Sequence, residues 1–282
     1  MVFERFEAFK LRCTIHLVIY PLRNSPTDSG DEADFLALAN YLHDELGYQT
    51  VNWNLGCSAG TTPSRLRGAG LLEHPELIDR FLNDACRGFN GKISIKMRLG
   101  MNSPQECLTL LPILNRYPLS EICMHPRIGL QGFSGSVDLN AFASFCKGLI
   151  HPVLYNGDIR TGSDAHAILT RFPFVSGLML GRGVIANPFL PKQIVDYKNE
   201  ENFEKEVGVK PASILSLKRF HDELFQAYIE TMEGGSQPVL GRMRELWPYW
   251  ESLFAGKERI IRALIKAPSL AAYKQLADQL LR

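Results

Sequence analysis

The stretch Gln49-Thr50-Val51-Asn52-Trp53-Asn54-Leu55-Gly56-Cys57 decides how this chain is read. Residues 49–54 read as a short apolar strand, and a thiol follows at once beside an amide side chain and a glycine. A cysteine just past a strand end is placed like a reagent rather than a staple. The same strand with a polar tip recurs at Ser94-Ile95-Lys96-Met97-Arg98, Ile122-Cys123-Met124-His125-Pro126-Arg127, Val153-Leu154-Tyr155-Asn156-Gly157-Asp158 and Leu178-Met179-Leu180-Gly181-Arg182-Gly183. Successive strands that each end in ligand-binding groups are how an α/β barrel builds a site, at the carboxyl ends of its strands.

Outward from these tips, apolar runs at 14–20, 49–54, 93–98, 121–126, 152–156 and 177–181 alternate with segments of helical periodicity. The helical segments are Asp31–Leu46, Pro75–Cys86, Pro104–Arg116, Leu139–Lys147 and Ser163–Arg171. Asn102-Ser103-Pro104 and Thr161-Gly162-Ser163-Asp164 are start signals for two of them. Continuous apolar strands separated by helices predict a parallel sheet covered on its outer face. The expected fold is α/β, a (β/α)8 TIM-type barrel. Six strands are legible where eight are needed, and residues 1–13 are too few for two more units, so the chain is expected to lack its first one or two strand–helix units.

Near 199–210 the character changes and the strands stop. Ile214, Leu217, Leu224, Phe225, Tyr228 and Met232 mark one long amphipathic helix closed by Gly234-Gly235. Further helical stretches are expected at 239–254, 257–266 and 269–281. The division expected is a barrel over 1–200 and an all-helical domain over 201–282.

Composition fits an ordinary globular protein, with 45% hydrophobic and 22% charged residues in 282. No apolar run approaches the roughly 20 residues that span a bilayer. The first residues, Met1 to Glu7, carry acids and lack a signal-peptide core, so a cytoplasmic location is expected. The six cysteines (13, 57, 86, 107, 123 and 146) form no C-x-x-C or zinc-like spacing, which points to reduced thiols and no metal. Cys86, Cys107, Cys123 and Cys146 lie within helix or strand patterns and read as small buried apolar residues. Net charge is +1, but from Lys210 onward eleven Lys/Arg face eight Asp/Glu, leaving +3 there and −2 elsewhere. That is a slight bias of the tail toward nucleic acid.

The motifs together resemble the flavin-dependent tRNA-dihydrouridine synthases over roughly residues 15–282. The family's N-x-G-C-P is similar to Asn54-Leu55-Gly56-Cys57-Ser58, followed by Gly68-Ala69-Gly70, and its K-x-R-x-G to Lys96-Met97-Arg98-Leu99-Gly100. Its H-x-R…Q-x-[YF]-x-G-x-x-D is similar to His125-Pro126-Arg127 with Gln131-Gly132-Phe133-Ser134-Gly135-Ser136-Val137-Asp138. Its last two motifs resemble Asn156-Gly157-Asp158-Ile159 and Gly181-Arg182-Gly183…Asn187-Pro188.

The resemblance implies an enzyme that uses FMN, with NADPH as a transient reductant, to reduce specific uridines of tRNA to 5,6-dihydrouridine. Cys57 would be the general acid. Asn156, Gly157, Asp158, Gly181 and Arg182 would hold the FMN phosphate, with Lys96 and His125 at its ring or ribityl chain. Asn54 and Arg127 would face the RNA or the target uracil. The tRNA base would be turned outward into the pocket. Arg242, Arg244, Lys257, Arg259, Arg262 and Lys266 are the tail cations for tRNA, while Trp247, Tyr249 and Trp250 read as core, with RNA contact the alternative. No G-x-G-x-x-G occurs, so no Rossmann module is expected.

Three features depart from the family pattern: Ser58 stands for its proline, Tyr20 for a flavin-contacting glutamine, and nothing in Met1–Cys13 matches its A-P-M strand. A degenerate copy that retains only tRNA binding is the alternative reading. A flavin barrel acting on a small molecule is a third, against which the helical tail and the His125–Asp138 segment argue.

Overall fold

The computed structural model describes residues 30–59, 66–199 and 211–282. The strand expected at 14–20, Tyr20 and the Met1–Cys13 segment lie outside the described residues. Packing divides the chain into two compact units, Met1–Gly157 with Phe172–Met179, and Asp158–Arg171 with Leu180–Arg282.

Among the described residues of the first unit, five strands lie parallel in sequential order: β1 Thr50–Leu55, β2 Lys92–Gly100, β3 Ile122–Ile128, β4 Val153–Asn156 and β5 Gly177–Met179. Helices α1 Gly30–Asp44, α2 Pro75–Gly88, α3 Glu106–Leu114 and α4 Leu139–Gly148 alternate with them. This is the strand–helix succession of a TIM-type barrel. Its outer face is apolar by alternation: Trp53 stacks on Phe81 of α2 at 3.9 Å between ring centroids, and Tyr155 meets Phe142 of α4 edge-on at 5.3 Å. Ile93, Ile95 and Met97 of β2 are fully buried. The residues that alternate with them, Ser94, Lys96 and Arg98, therefore line the opposite face with Asn52 and Asn54 of β1.

Side-chain carboxylates fix two of the helix starts. Asp138 caps α4, its carboxylate accepting from the backbone N–H of Asn140 and Ala141 at 3.0 and 2.9 Å. Before α3, the Glu106 carboxylate accepts from Met101, Asn102 and Ser103 N–H at 2.6, 3.0 and 2.7 Å. This gathers the chain into a turn, so the helix begins two residues beyond the expected Pro104.

The second unit contains α5 Gly162–Arg171, α6 Arg182–Ala186, α7 Leu190–Asn199, α8 Pro211–Thr231, α9 Ser236–Arg244, α10 Trp247–Trp250, α11 Glu258–Ile265 and α12 Leu270–Leu280. The single stretch expected at 239–254 is broken into α9, α10 and a 3-10 turn, Glu251–Leu253. Apolar periodicity runs on through it, but Pro248 has no N–H to bond back to Arg244 and starts a new helix instead. Trp247 and Trp250 are buried in the core of this unit, while Tyr249 is exposed. Among the described residues no helix is long and apolar enough to cross a membrane.

A hydrogen-bonded chain runs through that core. Trp247 Nε1 donates to Tyr273 Oη at 2.9 Å, Tyr273 Oη lies 2.8 Å from His221 Nε2, and His221 Nδ1 lies 3.0 Å from the Asp222 carboxylate. A neutral ring satisfies every member: Nδ1–H donates to Asp222, and Nε2 accepts from the tyrosine hydroxyl. Burial holds the His221 pKa below the usual 6.5, although Asp222 and Asp278 pull it upward and Lys218 pushes it down. Protons then bind the unfolded chain preferentially in the window below pH 6.5. Stability from this cluster is full above that pH and falls as pH drops through the lowered folded pKa. Thermal melts between pH 8 and 5 are expected to show the decline, and a His221→Gln variant to flatten it. The Asp222 carboxylate acts in a separate, more acid window: burial opposes its charge, but bonds from Lys218 and His221 outweigh this and hold it below its usual 3.8.

Candidate active site

The inward face of the first unit carries polar side chains in register. Asn52 pairs with Ser94, Asn54 with Lys96, Lys96 with Cys123, and Arg98 with His125. Deepest in this series, Asn52 Nδ2 donates to Ser94 Oγ at 2.9 Å. Next come Asn54 and Lys96. Asn54 Oδ1 accepts from Gly56 N–H at 2.9 Å, tightening the turn that leads to Cys57. The sequence assigns Asn54 to the substrate; its oxygen is held by this turn.

Lys96 Nζ lies 3.5 Å from the space a Cβ on Gly56 would take. Among the described residues it has no hydrogen bond or ion pair, although its side chain is half-buried. Burial lowers its pKa below the usual 10.5; Cys123 and Cys57 oppose this, and the Arg98 charge adds to it. An amine so placed favours an anionic or strongly accepting partner.

Cys57 is half-buried on the loop just after β1. Its carbonyl accepts from Ala69 N–H at 2.8 Å. Gly68 has φ +54°, and a Cβ there would lie 2.5 Å from that same carbonyl oxygen. The Gly68-Ala69-Gly70 segment therefore forms the backing of the thiol loop. The other thiols differ in setting. Cys107 and Cys123 are buried, and burial pushes each up to about 12. Cys86 and Cys146 are half-buried rather than buried as expected, yet burial still raises both, Cys146 to about 12.

His125 and Arg127 share the end of β3, both nearly inaccessible at 5% and 2% exposure. Arg127 Nη1 donates to His125 Nε2 at 3.1 Å, so this nitrogen is the acceptor and Nδ1 carries the ring proton. Arg127 Nε and Nη2 donate to the carbonyls of Ser134 and Gly135 at 3.2 and 2.6 Å. Arg127 thus grips the loop that follows β3; the resemblance has it facing the RNA or the target uracil. Phe133 on that loop is exposed, with its ring 5.6 Å from the Arg98 guanidinium carbon and 6.4 Å from the His125 ring.

At the end of β4, Asn156 Nδ2 donates to the Met179 carbonyl at 2.9 Å. Gly157 is closely packed: a Cβ there would meet Val137, His125 and Tyr155 at 3.0, 3.3 and 3.4 Å. In the second unit, Arg182 Nη2 pairs with Asp158 Oδ1 at 3.6 Å, both partly exposed, and Gly181 precedes the first residue of α6. Among the tail cations, Arg242, Lys257, Arg259, Arg262 and Lys266 are exposed. Arg244 is not a surface cation: it donates to the Ala267 carbonyl.

Sequence reasoning gave roles to Cys57, Lys96 and His125, and quoted Arg98 and Gly68-Ala69-Gly70 within motifs without giving them one. The signal for Arg98 was present, since it stands two residues beyond Lys96 on the same strand face. The donor set fits a flavin: an amine with no hydrogen bond or ion pair among the described residues, with imidazole and amide groups on the same face, suits a ring system rich in carbonyl acceptors.

Parallel strands that end in an amine, a guanidinium, an imidazole and an amide, with a thiol on the first loop, define an α/β barrel protein with a strand-end site. The dihydrouridine synthase (Dus) family matches residues 29–238, and the chain belongs to that family. It is similar to tRNA-dihydrouridine synthase B of Pasteurella multocida (strain Pm70), 26% identical over 168 residues, 59% of this chain and 50% of that protein. The corresponding protein of Yersinia pestis is 26% identical over 171 residues, 60% of this chain and 53% of its own length. The chain spans about half the length of the curated relatives it matches. Among solved structures, morphinone reductase matches at 13% identity and a TM-score of 0.43, over 64% of this chain and 52% of its own, too distant a likeness to carry fold or function.

Proposed function

We propose that this protein reduces specific uridines in tRNA to 5,6-dihydrouridine in the cytoplasm, with FMN as its cofactor and NADPH as the reductant. Membership of the Dus family supports the reaction class. The observation that carries the reading is Lys96: a half-buried amine with no partner among the described residues, one strand from the Cys57 loop and beside its Gly56.

When bound, the flavin supplies hydride to C6 of the uracil. Cys57 holds the proton that C5 receives. A thiol can release its proton to a developing enolate. The C5–C6 double bond becomes single, and the thiolate regains a proton from solvent. Lys96 places positive charge where the reduced cofactor carries negative charge. His125, with its proton on Nδ1, is a donor to the cofactor, and Asn156 and Gly157 assist at the phosphate end. In the second unit, Asp158, Gly181 and Arg182 carry a phosphate-binding role. Asn54 and Arg127 act on the substrate side by shaping the two loops they hold. Exposed cations of the helical tail, Arg242, Lys257, Arg259, Arg262 and Lys266, contribute to tRNA affinity.

The purified protein is expected to keep flavin absorbance through gel filtration, and tRNA from a strain lacking the gene to lose dihydrouridine by mass spectrometry. Undiminished dihydrouridine at every site, in a strain also lacking related enzymes, would overturn the reading. Colourless protein that still shifts tRNA would favour a binding-only role.

A further inference from the structure

We infer that Arg98 is the positioning residue for the Cys57 thiol, a latch that ties the Gly56–Cys57 peptide to the loop after β3. This rests on the role given to Cys57 above. Arg98 is 2% exposed, so its guanidinium is placed by the protein rather than by solvent. Its Nε donates to the Gly56 carbonyl at 2.9 Å, and its Nη1 to the Ile128 carbonyl at 3.0 Å.

The identity of those two oxygens gives the contact its meaning. The Gly56 carbonyl belongs to the peptide group whose nitrogen is Cys57's own. Cys57's following peptide is fixed as well, by the Ala69 N–H on its oxygen at 2.8 Å. Both peptide planes flanking the thiol are thus held, one of them by Arg98. The Ile128 carbonyl begins the opposite loop, whose turn is closed by Gln131 Oε1 accepting from Ile128 N–H at 2.9 Å.

The register explains how one side chain reaches both. Arg98 pairs with His125 and Gly100 with Ile128, so two steps along β2 match three along β3. Such an irregularity re-aims side chains at a sheet's rim. A guanidinium can serve both carbonyls because its donors are fixed in one plane; a lysine amine offers a point charge without that fork. Phe133 lies over the same guanidinium at 5.6 Å, so displacement of the 129–135 loop is felt at Arg98 and passed to the Gly56–Cys57 peptide.

The test uses the full chain and the thiol's own reactivity. Alkylation of Cys57 by iodoacetamide is followed by peptide mass spectrometry, with the half-buried Cys86 and Cys146 as internal reporters of general loosening. In Arg98→Ala and Arg98→Lys, Cys57 alkylation is expected to quicken severalfold while the two reporters keep their rates. An unchanged Cys57 rate, or an equal rise at all three thiols, overturns the latch. In turnover, kcat is expected to fall about 30-fold with little change in KM, as for a displaced rather than missing group. Combining Arg98→Ala with Cys57→Ala should add no further loss. Additive losses overturn the latch, whereas an inactive wild-type protein overturns the function and leaves the alkylation result to decide Arg98.

Discussion

A Cys57→Ala variant is expected to lose about 10³-fold in dihydrouridine formation, within the range by which a positioned general acid accelerates proton transfer. Its NADPH-driven flavin reduction should stay within about twofold of wild type, because an interaction used only at the uracil step lowers that step alone. The magnitude follows from how firmly the thiol is held. The carbonyl before Cys57 is bonded to Arg98, and its own carbonyl to Ala69. The two peptides flanking the thiol are therefore already placed, and alanine leaves them so while removing the proton. Solvent water would have to enter a half-buried position to replace it. Rapid mixing of reduced protein with tRNA, followed by mass spectrometry of the product, separates the two steps. A variant that retains a tenth of wild-type activity, about ten per cent, would remove Cys57 from the acid role.

Much of the fold was legible because two periods alternate along the chain. Strands such as Ile93 to Met97 alternate, with Ile93, Ile95 and Met97 buried and Ser94 and Lys96 on the opposite face, and helices such as α2 bury a single apolar stripe. The site was legible where chemistry sits at a strand tip, as for Cys57, Lys96 and His125. It was not legible where a side chain turns back on its own scaffold. Arg127 bonds the Ser134 and Gly135 carbonyls, a grip on its own loop that its place in the motif does not show. Arg244 looks like a surface cation, but it serves the carbonyl of Ala267 at the end of a helix. Both bonds were hidden for one reason: sequence shows which groups a residue offers, while partners twenty positions away, or buried backbone oxygens, decide where they go. The break at Pro248 was hidden for a different reason, since hydrophobic spacing continues unchanged across a residue that cannot donate its N–H.

Gly68→Ala is expected to be the most damaging change at a residue that touches neither cofactor nor substrate. At φ +54° an alanine carries the left-handed cost of about 1–2 kcal/mol. Its Cβ would also stand 2.5 Å from the Cys57 oxygen and 3.0 Å from the Cys57 Cβ. No rotamer relieves the first contact, because the obstructing atom is backbone. One of the two segments must shift, and the bond between Ala69 N–H and the Cys57 oxygen shifts with it, a further loss of about 1 kcal/mol. Together these predict a stability loss of roughly 2–3 kcal/mol. Turnover should fall about 100-fold, the penalty for misplacing a reacting group by the order of an ångström. Gly47 supplies the control: it has φ +73° and nothing within 4 Å of its missing Cβ. Gly47→Ala carries the conformational cost alone, so its melting temperature should fall while turnover in the surviving folded protein matches wild type. If Gly68→Ala behaves like Gly47→Ala in both measurements, the segment behind the thiol has no part in placing it. If the two separate in turnover but not in unfolding, the clash is absorbed entirely at Cys57, where the geometry puts it.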